Sequence, residues 1–131
     1  MKLTVKQLII AADALQRLGA KGIKVLTQQV FYNVSKNLRV ISPELELYEK
    51  VRQGLIEKYS AEQKDGSFGV LPRDVSALNK EIEEAQEREV NLTILTCILT
   101  DEIIEKAEIH ASDLAVLEWM INSPEVRETE S

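Results

Sequence analysis

Hydrophobic positions in this chain recur at intervals of three and four over most of its length, the spacing that gathers side chains on one face of a helix. Val5, Leu8, Ile9, Ala12, Leu15 and Leu18 form the first stripe and predict a helix over Val5–Leu18. Thr4 and Gln7 flank its start as a capping box, in which each side chain satisfies a free backbone N–H of the first turn. Gly19 is expected to end the helix in a left-handed turn, with "GAKG" as a short hinge.

The second stripe runs through Ile23, Leu26, Val30, Val34, Leu38 and Ile41, then through Leu45, Tyr48, Val51, Leu55 and Tyr59. Pro43 lies between its two halves. Ser42-Pro43 reads as an N-cap followed by proline at a first helical position. Proline also removes a backbone hydrogen bond and disfavours helix at the residue before it. Yet the step from Ile41 to Leu45 is four, so the stripe keeps its phase, which a real turn would rarely allow. The spacing predicts one long helix over 22–60, bent at Pro43. Val25, Val40, Leu47 and Ile56 are apolar residues off the main stripe, more than one small domain needs to cover.

Periodicity then changes. Residues 60–72 read as a loop with a turn at Asp65-Gly66. Phe68–Leu71 is a short strand ended by Pro72. Val75, Leu78, Ile82 and Ala85 predict a third helix, capped by Asp74 or Ser76, whose other faces form an acidic surface. "VNLTILTCIL" (90–99) is β-branched and alternates at Val90, Leu92 and Ile94, predicting a strand that pairs with Phe68–Leu71. Two short helices follow, capped by Thr100 and Ser112, the second carrying Leu114, Leu117, Met120 and Ile121 beside Trp119. Residues 122–131 read as a polar, flexible tail. The expected fold class is α+β, mainly α, in one domain over 1–121. It is a helical hairpin with one long bent helix, packed on a small two- or three-stranded sheet and short C-terminal helices.

Composition adds limits. A chain of 131 residues with 44% hydrophobic and 29% charged side chains is long and apolar enough to bury a core. Aromatics at 5% make that core aliphatic. Cys97 is the one cysteine, so no intrachain disulfide can form. The N-terminal stripe is interrupted by Gln7, Asp13, Gln16 and Arg17, unlike a signal-peptide core. No run approaches the roughly 18 apolar residues of a membrane span. A soluble cytoplasmic protein is expected. The net charge of −6 is uneven: residues 1–41 hold seven basic side chains and one acidic, and residues 42–131 hold nine basic and 21 acidic. Attraction between the two halves explains this better than a basic binding face does, and the acidic total argues against broad nucleic-acid binding.

Candidate chemistry is sparse. His110 could act with Glu108 or Asp113, but no nucleophile signature accompanies it, and a structural or surface role is favoured. Cys97 reads as a small buried hydrophobe. Glu81, Glu84, Glu102, Glu105 and Glu108 have helical spacing, which could gather a divalent ion and equally describes any exposed acidic helix. "DGSFG" lacks the lysine and following helix of a phosphate loop. No cofactor, metal or enzymatic activity is expected. Lys24, Gln28, Tyr32, Lys36 and Arg39 fall on one side of the second helix as a basic face with one aromatic, a modest nucleic-acid footprint. Trp119 is either an end plug of the core or a contact residue.

The strings "SPELELYEKVRQGLIEKY", "FGVLP", "LNKEIEEAQEREVNLTIL" and "SDLAVLEWMI" together resemble a family of small proteins from phages and prophages of Gram-positive bacteria, known only as a domain of unknown function. The resemblance covers residues 5–121 and rests on pattern. "GAKG" and "TDEIIEKAEIH" depart from it. It implies a phage-encoded accessory protein from late or tail-region genes, in the host bacterial cytoplasm or on the virion, and supplies no catalytic residues. The first expected function is a non-enzymatic protein-binding module in virion or tail assembly, binding a phage structural protein, a host protein or a second copy of itself. The alternatives are an inhibitor of a host enzyme or defence protein that uses the acidic half (65–108), with Glu81 and Glu84, as a decoy surface, and a nucleic-acid adaptor using Lys24, Tyr32, Lys36 and Arg39. Leu47, Ile56 and Trp119 complete the candidate partner-binding residues.

Overall fold

The computed structural model describes residues 1–62, 64 and 66–121. A short strand, β1 (Lys2–Thr4), leads directly into α1 (Val5–Gly19). The capping box forms: Thr4 Oγ1 accepts from the Gln7 N–H at 3.1 Å, and Gln7 Oε1 accepts from the Thr4 N–H at 2.8 Å. The end of α1 corrects the expectation. Gly19 stays helical and packs against Val34, and the left-handed residue is Gly22, at φ +81°.

Gly22 also explains why the long helix starts later than its stripe. Residues 20–27 form a turn in which the Leu26 N–H donates to the Gly22 carbonyl at 2.9 Å and the Leu26 side chain is buried. Thr27 then caps α2 (Gln28–Tyr59), its hydroxyl accepting from the Val30 N–H at 3.2 Å. This helix has 32 residues, about 48 Å at 1.5 Å per residue. It continues unbroken through Pro43, as the phase of the stripe predicts. Proline leaves the Arg39 carbonyl without its helical donor, but both residues are exposed, so water can serve it. Ser42 Oγ donates to the Leu38 carbonyl at 2.7 Å, a local bond that occupies its hydroxyl within the helix.

A hairpin follows: β2 (Ser60–Glu62) pairs antiparallel with β3 (Phe68–Val70), with Gly66 left-handed at φ +84° between them. Pro72 both ends the strand and opens α3 (Pro72–Gln86), with Leu71 as N-cap in place of the expected Asp74 or Ser76. Proline suits a first helical position because the N–H it lacks would have no partner there. The chain then forms β4 (Glu89–Asn91), α4 (Asp101–Ala107) and α5 (Ala111–Val116). Thr100 caps α4 as expected, accepting from the Ile103 N–H at 3.2 Å, whereas His110, not Ser112, precedes α5.

The sheet pairing differs from the expectation. β4 pairs antiparallel with β1, in the register Leu3↔Val90, and β3 pairs with its sequence neighbour β2. Only residues 90–91 of the apolar 90–99 region lie in that strand; most of the remainder is irregular, with one isolated bridge between Cys97 and Ile121. Side chains of α2 take the place of a strand partner. Asn37 Nδ2 donates to the Leu95 carbonyl at 2.9 Å, and Asn37 Oδ1 accepts from the Leu95 N–H at 2.8 Å. One turn earlier, Asn33 Nδ2 donates to the Thr96 carbonyl at 3.0 Å. A buried backbone must find partners somewhere, and here a primary amide reproduces the paired donor and acceptor of a strand.

The fold is therefore α+β and mainly α, with one long helix and two small antiparallel sheets. Its core joins α1, the first half of α2 and residues 97–120, around Leu8, Leu15, Val34, Ile41, Leu99 and Leu117. Each such aliphatic side chain contributes about 1.5–3 kcal/mol by leaving water. The tail expected over 122–131 lies outside the described residues.

Candidate functional site

The core stops partway along α2. Ile41 is the last buried residue of that helix, and Leu78 is the one buried residue of α3. Beyond Ile41, α2 and α3 run antiparallel as an arm closed by the β2–β3 hairpin. Two contacts fix their alignment: Gln86 Nε2 donates to Tyr48 Oη at 2.9 Å, and Lys58 Nζ lies 3.1 Å from Glu81. Hydrogen bonds from Tyr59 and Lys58 hold the Glu81 carboxyl below its ordinary range. On the outer surface, Arg52 and Gln53 both donate to Glu49 and hold its carboxyl at about 2.

The arm exposes apolar side chains that a finished surface would cover. Leu47 is 55% exposed, Val51 39%, Val75 41% and Phe68, at the hairpin, 74%. Along the apolar stripe, Leu55 and Tyr59 are half-buried, whereas Val51 is more exposed. Leu47 and Val51 line one side of a shallow groove, with Ala85, Arg88 and Val90 on the other. Gly54 continues their line by one turn, and a Cβ there would meet nothing within 4 Å. Glu44 and Lys58 bracket the stripe, so the face reads Glu44, Leu47, Val51, Gly54, Lys58 at steps of three and four.

The other candidate residues are distributed elsewhere. Tyr32, Lys36 and Arg39 are exposed on the first half of α2, where Lys36 Nζ stands 5.6 Å from the Tyr32 ring centre. Lys24 is separate from them, in the turn before the helix. Ile56 is half-buried in the arm, Glu84 is exposed on α3, and Trp119 packs half-buried against the core. The structure thus brings Leu47, Ile56, Glu81 and Glu84 into the arm and leaves the basic group and Trp119 outside it.

A second cleft, between the end of α1 and α5, holds Arg17, Lys21, Glu108, His110 and Asp113 over Leu117. Arg17 binds Asp113 through two nitrogens, at 2.6 and 3.1 Å, and this holds the carboxyl below its ordinary range. It is an ion pair between the basic and acidic halves of the chain. His110 lines the same cleft as its expected carboxylate partners Glu108 and Asp113, but Asp113 is engaged by Arg17. Glu108 is left-handed, at φ 54°, because it closes α4: the Ile109 N–H donates back to the Ile104 carbonyl at 3.1 Å. Cys97 lies elsewhere, buried 3.8 Å from Asn37 Nδ2, and burial pushes its thiol up to about 11. Among the described residues no three metal-ligating side chains gather, and no helix is long and apolar enough to cross a membrane.

Comparison with known proteins finds no matching family model, no curated relative and no similar solved structure.

Proposed function

We propose that this chain is a non-enzymatic protein-binding module that presents the α2–α3 arm to a protein partner. One observation carries the reading: α2 continues 18 residues past its last buried position, and that extension exposes Leu47 and Val51 beside a groove. Apolar surface of this kind on a helix extended from a packed core fits protein contact better than catalysis. The setting we propose, virion or tail assembly in a phage of Gram-positive bacteria, rests on the sequence resemblance alone. The test is affinity capture from cells producing the phage, using the full chain and a Leu47→Glu, Val51→Glu variant as baits. The reading expects a protein partner on the first bait, either a phage structural protein or a second copy of this chain, and its loss from the second. Equal capture by both baits refutes the arm as the docking surface, and a host enzyme as the main captured protein would favour inhibition over assembly.

A further inference from the structure

The exposed stripe of α2 is complementary to itself when reversed. Its ends carry opposite charges, Glu44 and Lys58, fourteen residues apart and equidistant from Val51. Glu44 makes no ion pair among the described residues, and Lys58 keeps 58% of its side chain exposed despite its contact with Glu81. A two-fold axis through Val51 would set each residue of one helix against the residue equally far on the other side in a second copy. Glu44 then faces Lys58 twice, and Leu47 lies level with Leu55 of the other copy. A parallel arrangement would instead oppose Glu44 to Glu44 and Lys58 to Lys58, which like-charge repulsion disfavours.

We infer that the partner of the arm is a second copy of this chain, docked antiparallel through α2 about a two-fold axis at Val51. This rests on the reading of the arm as a docking surface and names its occupant. A two-fold contact uses the same patch on both copies, the commonest closed arrangement of soluble oligomers. It covers Leu47 and Val51 together and gives Glu44 the cation it lacks.

Sedimentation equilibrium of the full chain at micromolar concentration tests this, together with single-cysteine crosslinking. A mass of twice the 14.8 kDa of one chain is expected. Leu47→Glu should weaken the dimer at least about tenfold, the effect of roughly 1.4 kcal/mol. Leu47 is mostly exposed, so this variant should keep its helical circular dichroism. Val51→Cys should form a disulfide-linked dimer under mild oxidation, because the axis brings its two copies within the reach of about 7 Å between Cα atoms. Glu44→Cys, far from the axis, should not link to itself. Buried Cys97 gives little background. A single-chain mass throughout the range overturns the self-partner inference and leaves the binding-module reading to the capture experiment. A dimer indifferent to Leu47→Glu overturns both for this surface, and self-linking at residue 44 in place of residue 51 overturns the antiparallel arrangement.

Discussion

Asn37 is a polar side chain with no exposure at all, in a helix position where its neighbours Val34 and Ile41 are core. Its amide replaces a strand, bonding both the N–H and the carbonyl of Leu95. Truncation leaves both backbone groups unpaired and opens a small cavity. Asn37→Ala is therefore expected to cost about 2–4 kcal/mol in denaturant unfolding. Asn33→Ala, at the edge of the same set, should cost less. A second prediction concerns Asp113. Its folded pKa is depressed by Arg17, so the pair adds stability above the unfolded value of about 3.9, and that stability is lost as pH falls through the lower folded value. Asp113→Asn should lower the unfolding midpoint at neutral pH, and the gap from wild type should close in strong acid. A gap that widens in acid would contradict the assignment. Cys97, with its thiol pushed up to about 11 by burial, should react with thiol reagents far more slowly in the folded protein than in denaturant.

At the scale of elements, periodicity carried most of the information. The Thr4–Gln7 box and the unbroken phase from Ile41 to Leu45 identified α1 and the continuity of α2 through Pro43, because both depend on residues close in sequence. The 92–99 segment misled for the opposite reason. Its alternation is real, but at Leu95 and Thr96 its hydrogen bonds come from side chains of α2 some sixty positions away, and no local pattern announces them. The start of α2 was misplaced because Ile23 and Leu26 keep the stripe's spacing in a turn that Gly22 bends. The exposure of Val51 was not legible because a stripe shows which face is apolar, not whether anything packs on it. Leu47, off the main stripe, is exposed on the arm, whereas Gly54 and the charges at 44 and 58 became meaningful only once the outer face was known. Gly54 offers a test of α2 itself. It is exposed, mid-helix and free of contacts, so Gly54→Ala should stabilise the chain by about 0.5–1 kcal/mol at dilution where it is monomeric.

The whole molecule has two parts of unequal burial. One is a core of α1, the first half of α2 and the C-terminal segments. The other is an arm, closed by a hairpin, whose buried side chains are few. Local stability should follow burial, so amides of residues 44–58 should open more readily than those of 30–41 when nothing covers the stripe. Basic residues 1–41 and acidic residues 42–131 meet at Arg17 and Asp113, but the charges that matter for docking are Glu44 and Lys58 on the arm itself. The most direct measurement is hydrogen exchange of the intact protein at low and high concentration, resolved along α2. The account predicts weak protection over 44–58 at low concentration, rising with concentration, while 30–41 stays unchanged. Protection over 44–58 that is as strong as in the core at the lowest concentration, and independent of concentration, would contradict it.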